Sequence, residues 1–181
     1  MAFERFLALE ALGWKGGRGT ALLCDPATVT SMRSMTRALA REGKCRVDSL
    51  ELDGKPIAMG VTLISGKAAA LWKIAYDENR AALSPGVQFT LEYTRRQLAA
   101  NSVDFTDSCA IADHPMIDRI WPDRMPVVDI FTAIHPDRAA AFHAAASREH
   151  VRRRARAIAK SAWNALRTRR AKPVCTRAGP P

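Results

Sequence analysis

The chain has 181 residues, 48% hydrophobic and 25% charged, an ordinary make-up for one globular domain with a core and an appendage. No apolar run approaches the roughly 20 residues of a membrane helix, and Glu4, Arg5 and Glu10 interrupt the apolar N-terminus where a secretory signal would be continuous, so a cytoplasmic location is expected. The net charge of +10 sits at one end: residues 1–147 hold 17 Lys/Arg and 17 Asp/Glu, whereas residues 148–181 hold 11 Lys/Arg against Glu149 alone, which confines any attraction to polyanions to that tail.

Residues 3–12 read as a short helix with Phe3, Phe6, Leu7 and Glu10 on one side. The next stretch, 13–19, carries four glycines and is expected to be irregular. Asp25-Pro26 reads as an N-cap followed by proline at the first helical position. Val29, Met32, Met35, Thr36 and Leu39 then form one face of a helix that Gly43 ends. Cys24, Cys45, Cys109 and Cys175 are scattered singly, without a CxxC pair, so neither a zinc site nor a disulfide framework is expected.

The centre reads as β-structure. Strands are expected over 46–52, 57–64 and 68–76, joined by Asp53-Gly54 and Ser65-Gly66-Lys67 as an antiparallel meander. Ser84-Pro85-Gly86 opens a helix to about residue 100, with Ser84 as N-cap and Pro85 at the first position. Val87, Leu91 and Leu98 share one face of it, and Phe89 and Tyr93 the other. Short strands are expected over 103–106 and 126–134. A break at His135-Pro136-Asp137 precedes a basic helix over 137–172 and a disordered end over 173–181. The order of elements describes an α/β or α+β domain over 1–136, with helices covering a mixed sheet.

Three stretches in this order carry a resemblance. They are Phe6-Leu7-Ala8-Leu9-Glu10 with Gly13-Trp14-Lys15-Gly16 and Gly19-Thr20-Ala21, then Ala75-Tyr76-Asp77-Glu78 with Ser84-Pro85-Gly86, then Asp113-His114-Pro115-Met116-Ile117-Asp118 with Trp121. Together they resemble the CelD-like acetyltransferases associated with cellulose biosynthesis, a branch of the GNAT superfamily related to the Fem-type transferases. The resemblance implies a GNAT-like mixed, mostly antiparallel sheet flanked by helices. It also implies a larger N-terminal region, with the first strand and helix of the core, that this sequence lacks. The implied co-substrate is acetyl-CoA or another acyl-CoA, without a metal. The implied acceptor is an amine on a small molecule or on a glycan or cell-envelope precursor.

The physics of such a site selects candidates. Acyl transfer from a thioester to an amine is mostly a matter of proximity and orientation, with a backbone N–H stabilising the tetrahedral oxyanion. The CoA diphosphate needs free amides, which a helix N-terminus supplies. Ser84, Pro85, Gly86 and Val87 lie where such a helix begins, although Ser-Pro is equally a capping device without a ligand. Asp107 and Tyr76 are the candidate base and acid, against readings as a turn cap and an aromatic at the core's edge. Trp14, Lys15 and His114 are candidate substrate contacts. For Trp14 the alternative is an anchor packed on the core, and for His114 it is a structural loop histidine.

In the tail, Ala155, Ile158, Ala159, Ala162, Trp163 and Leu166 recur at helical spacing, with Arg152, Arg153, Arg156, Lys160, Arg167 and Arg170 on the other side. Three readings stay open: the stripe packs on the domain, the helix contacts an anionic membrane surface over 148–172, or it binds nucleic acid, the last without a supporting motif. For the whole chain, the alternative to an enzyme is a non-catalytic interaction module, or a polyanion or membrane-surface binder acting through the tail.

Overall fold

The computed structural model describes residues 2–134 and 136–170, with the side chains of the last helix described through residue 163. The expected end over 173–181 and Cys175 lie outside the described residues. Contacts divide the chain into two units, one ending at Arg124 and the other beginning at Met125.

The first unit is built on a four-stranded sheet in the order β1-β2-β3-β4. Strands β1 (Cys45–Leu52), β2 (Lys55–Ser65) and β3 (Ala68–Tyr76) form the expected antiparallel meander. Asp53 and Gly54 both adopt positive φ in the first turn, as a two-residue hairpin of matching twist requires. The last strand, β4 (Phe105–Asp107), runs parallel to β3. The short strand expected over 103–106 is thus real, and its pairing register places it over Phe105–Asp107.

One face of the sheet is covered by α1 (Ala2–Leu12) and α3 (Pro26–Arg41). Phe6, Leu7 and Leu9 pack with Val29, Met59, Val61 and Ala75 into one core cluster. Each of the larger side chains removed from water, Ala75 apart, contributes about 1.5–3 kcal/mol. Asp25 caps α3 as expected, its carboxylate accepting from Ala27 N–H at 3.1 Å. Gly43 ends the helix region at φ 69°.

The opposite face is covered by α4 (Pro85–Ala100), whose Phe89 and Tyr93 pack against Ala58 and Leu71. Gly60 is the contact point: a Cβ there would lie 2.5 Å from Phe89 Cζ. The Phe89–Tyr93 side of α4 is therefore the buried one, together with Gly86 and Thr90. Leu91 and Leu98, on the face that periodicity made apolar, are 44% and 76% exposed.

Two expectations are corrected. The glycine-rich stretch after α1 is not irregular, because Trp14–Gly17 forms a helical turn, α2. A Cβ at Gly16 would sit 1.8 Å from the Ala11 carbonyl oxygen, so glycine allows this turn to fold back on α1. No strand forms over 126–134, whose Val127, Val128, Ile130 and Ile134 are exposed. There is no ladder partner for it in the sheet, and the segment belongs to the second unit. That unit also holds the long helix α6 (Ala139–Arg170); the four-residue α5 (Ile117–Ile120) closes the first.

Candidate active site

The sheet opens between its two parallel strands. Pairing of β3 with β4 covers Ala68–Ala70 opposite Phe105–Asp107, after which β3 continues to Tyr76 with no strand on that side among the described residues. A bulge accompanies the opening: Val61 pairs with Lys73 and Thr62 with Leu71, leaving Trp72 as the extra residue. Asp77 N–H donates to the Ile57 carbonyl at 2.8 Å. Counting in twos along an antiparallel ladder, Ala75 and Lys73 also face β2, while Ile74 and Tyr76 direct their backbone groups to the open edge. The contact of Lys15 Nζ with the Ile74 carbonyl oxygen at 3.3 Å agrees with that count.

Beside this edge lies a buried ion cluster. Glu10, on α1, is fully buried and accepts from Lys73 Nζ at 2.8 Å, Lys15 Nζ at 3.3 Å and Leu22 N–H at 2.9 Å. Burial pushes the Glu10 carboxyl up, but the Leu22 amide, then Lys73 and Lys15, outweigh it and hold the group below the ordinary carboxylate range. On the outer side, Glu78 Oε1 accepts the Trp14 N–H at 2.7 Å and so fixes the start of α2 to the chain just after β3. These contacts give Glu10, Trp14, Lys15 and Glu78 shared local structural work and line a small pocket with Ile74 and Tyr76.

Gly86 stands at the mouth of the opening. A Cβ built on it would meet Tyr76 Cδ1 and Met116 Sδ, each at 3.4 Å, so Tyr76, Gly86 and the start of α5 are in contact. Ser84 differs from its expected role. It adopts φ 49°, ψ 51° instead of the extended backbone of a capping residue and makes no side-chain cap, while its N–H closes the preceding 3-10 turn on the Ala81 carbonyl. The α4 amides answer whether a diphosphate fits. Pro85 has none, Val87 and Gln88 both donate to the Ser84 carbonyl, and the Gly86 N–H has no protein acceptor among the described residues. The expected cluster of free amides for a diphosphate is therefore not present: one unpaired N–H, on buried Gly86, beside the unengaged Ser84 hydroxyl offers donors for a single phosphate oxygen.

The remaining candidates are placed as follows. Asp107 pairs with Ala70, six residues along β3 from Tyr76, which at the strand rise is roughly 20 Å. The structure does not bring Asp107 and Tyr76 together, and Asp107 accepts from Cys109 N–H at 2.8 Å as a turn cap. His114 Nδ1 accepts from the Met116 and Ile117 N–H groups at 3.3 and 3.2 Å, at the start of α5. Trp14 is not packed into the core. Its ring is half exposed beneath the Arg18 guanidinium at 5.1 Å and the Lys15 ammonium at 5.9 Å. Trp121 closes over the other cluster: its Nε1–H donates to Thr94 Oγ1 at 2.9 Å and its ring lies against Tyr93.

Sequence reasoning missed the cluster around Glu10. Its one signal was a glutamate at helical spacing among Phe3, Phe6 and Leu7, since a carboxylate on a buried face requires partners. Nothing in the spacing pointed to Lys73, which lies 63 residues away.

The sheet thus carries a parallel strand pair that parts after three residue pairs, with a helix opening shortly beyond the longer strand. The family model of the acetyltransferase (GNAT) domain matches residues 1–114, and the chain belongs to that family. No curated protein and no solved structure matches the chain.

Proposed function

We propose that the chain is a GNAT acyltransferase that moves an acetyl or other acyl group from acyl-CoA to an amine acceptor. The observation that carries this reading is the parting of β3 from β4 beyond Ala70. CoA supplies the activated thioester. The open edge of β3 at Ile74 and Tyr76 orients the arm and offers N–H groups to the acyl oxygen as it gains charge. The Gly86 amide and the Ser84 hydroxyl receive a phosphate oxygen, with Pro85 and Val87 shaping that turn. Tyr76, beside Gly86, returns a proton to the thiolate in this proposal. Lys15 and Trp14, on the other side of the edge, are the contacts for the acceptor. Asp107 and His114 stand in this proposal only as residues that shape the loops beside it.

The ordered motifs around Glu10 to Gly16, Tyr76 to Gly86 and Asp113 to Trp121 support placement in the CelD-like branch, related to the Fem-type transferases. That placement suggests an acceptor amine on a sugar or cell-envelope precursor, met in the cytoplasm. A second reading, a GNAT-fold module without turnover, is favoured by two contacts. The Lys15 ammonium already holds the Ile74 carbonyl, and Gly86 is buried against Tyr76 and Met116.

Calorimetric titration of the full chain with acetyl-CoA and with CoA separates the two. Binding by the unaltered chain is expected. Gly86→Ala, whose methyl would make only ordinary contacts at 3.4 Å, is expected to bind comparably. Gly86→Asp, with a carboxylate facing the phosphate, is expected to lose about tenfold or more in affinity. A chain that binds neither ligand is the non-catalytic module.

A further inference from the structure

We infer that α6 lies in the plane of an anionic phospholipid bilayer, and this is independent of acyl transfer. Within the described part of the helix, Val151, Ala155, Ile158, Ala159, Ala162 and Trp163 fall on one arc of about 140° at the helical period, which also takes in Arg148 and Arg152, the latter with its guanidinium drawn to Glu149. Its larger side chains are exposed among the described residues: Val151 is 66% exposed, Ile158 70% and Trp163 63%. An apolar stripe of that size on the surface marks an interaction face.

The charges identify what the face meets. The helix holds nine Lys/Arg against Glu149 alone. Arg152 and Arg153 are engaged by Glu149 at 2.7 and 2.9 Å, and Arg153 also by Asp129. Those two guanidiniums hold the Glu149 carboxyl down at about 2. Arg148, Arg154, Arg156 and Lys160 have no carboxylate within bridging distance among the described residues. At the helical period Arg156 and Lys160 run along one border of the apolar arc and Arg154 along the other. Their stems can lie along the acyl-chain boundary while their heads reach lipid phosphates and carboxylates. Phosphate contacts alone would leave Ile158 and Trp163, at the two ends of the arc, in water, whereas a bilayer boundary buries both. No helix among the described residues is long and apolar enough to cross a membrane, so the expected mode is in-plane.

The test uses the full chain and vesicle flotation. Binding is expected to mixed phosphatidylcholine–phosphatidylserine vesicles and not to pure phosphatidylcholine, and to weaken as salt rises. Brominated acyl chains should quench part of the tryptophan emission, and Trp163→Phe should remove that quenching. The triple change Arg154→Glu, Arg156→Glu, Lys160→Glu should lower vesicle affinity by about a hundredfold. Ile158→Ser with Trp163→Ser should release the chain comparably, with helicity checked by circular dichroism. The quenching measurement on the unaltered chain needs no variant that could misfold. The inference is overturned if the unaltered chain ignores serine-lipid vesicles, or binds them without quenching at Trp163. It is equally overturned if duplex DNA binds more tightly and survives loss of Ile158 and Trp163.

Discussion

Glu10 sets the local electrostatics of the opened sheet. A buried carboxylate is tolerated only when its oxygens are fully engaged, and here one amide and two ammoniums engage them. Glu10→Gln keeps the shape and removes the charge, leaving Lys15 and Lys73 facing each other in a half-buried site. The expected cost is about 3 kcal/mol, read as a lower denaturant midpoint. The acid limb carries the same signature. Because the folded carboxyl titrates below its ordinary value, its stabilisation is complete above about pH 4.3 and is lost as pH falls through the folded value. In Glu10→Gln the stability-against-pH curve should therefore be flatter on the acid side. The remaining slope belongs to exposed pairs such as Glu4 with Arg33, where Glu4 is also held low, chiefly by the hydrogen bond from Arg33.

At the scale of elements, the joint between α4 and the sheet is closest at Gly60. Phe89 fills the space that any side chain at 60 would need, and its ring is wedged against Leu71 and Tyr93. Gly60→Ala is expected to cost about 1–3 kcal/mol through overpacking, and Gly60→Val more, measured as a stepwise fall in melting temperature. Pairing Gly60→Ala with Phe89→Leu should recover part of the loss. This joint also shows what the sequence could and could not tell. Local signals were legible: the Asp53-Gly54 turn, the Asp25-Pro26 start of α3 and the Pro85 start of α4 all lie where turn and cap chemistry put them. The buried face of α4 was not, because its residues are apolar on both sides and periodicity carries no information about which side meets the sheet. Long-range partners were equally silent, so Lys73 reaching Glu10 and Trp121 reaching Thr94 emerge only once the chain is folded. At 126–134 a β-branched run predicted a strand, but propensity without a ladder partner does not make one. Of the candidate site, Tyr76 and Gly86 come together, and so do Trp14 and Lys15. Asp107 falls at the other end of β3 because parallel pairing starts there, a register that the sequence does not encode locally.

For the molecule as a whole, the family match ends at residue 114 and the first contact unit at Arg124. Both ends fall before 136, where the punctuation at His135-Pro136 suggested a boundary. The sheet, both core clusters and every residue of the proposed acyl-CoA frame lie before Met125. A chain ending at Arg124 is therefore expected to unfold in one cooperative step, with a melting temperature within a few degrees of the full chain. Any acetyl-CoA affinity should be retained within a few-fold, since no proposed contact is removed. Vesicle binding should vanish altogether, because the excess charge and the apolar arc leave with α6. Differential scanning calorimetry, titration with acetyl-CoA and flotation on the same two constructions of the chain read these three outcomes separately. A truncated chain that melts broadly, or that loses acetyl-CoA binding its longer form had, would place part of the working domain beyond Arg124. In that case the exposed β-branched segment at 126–134 becomes the first place to look, since it has strand-forming chemistry and pairs with no strand among the described residues.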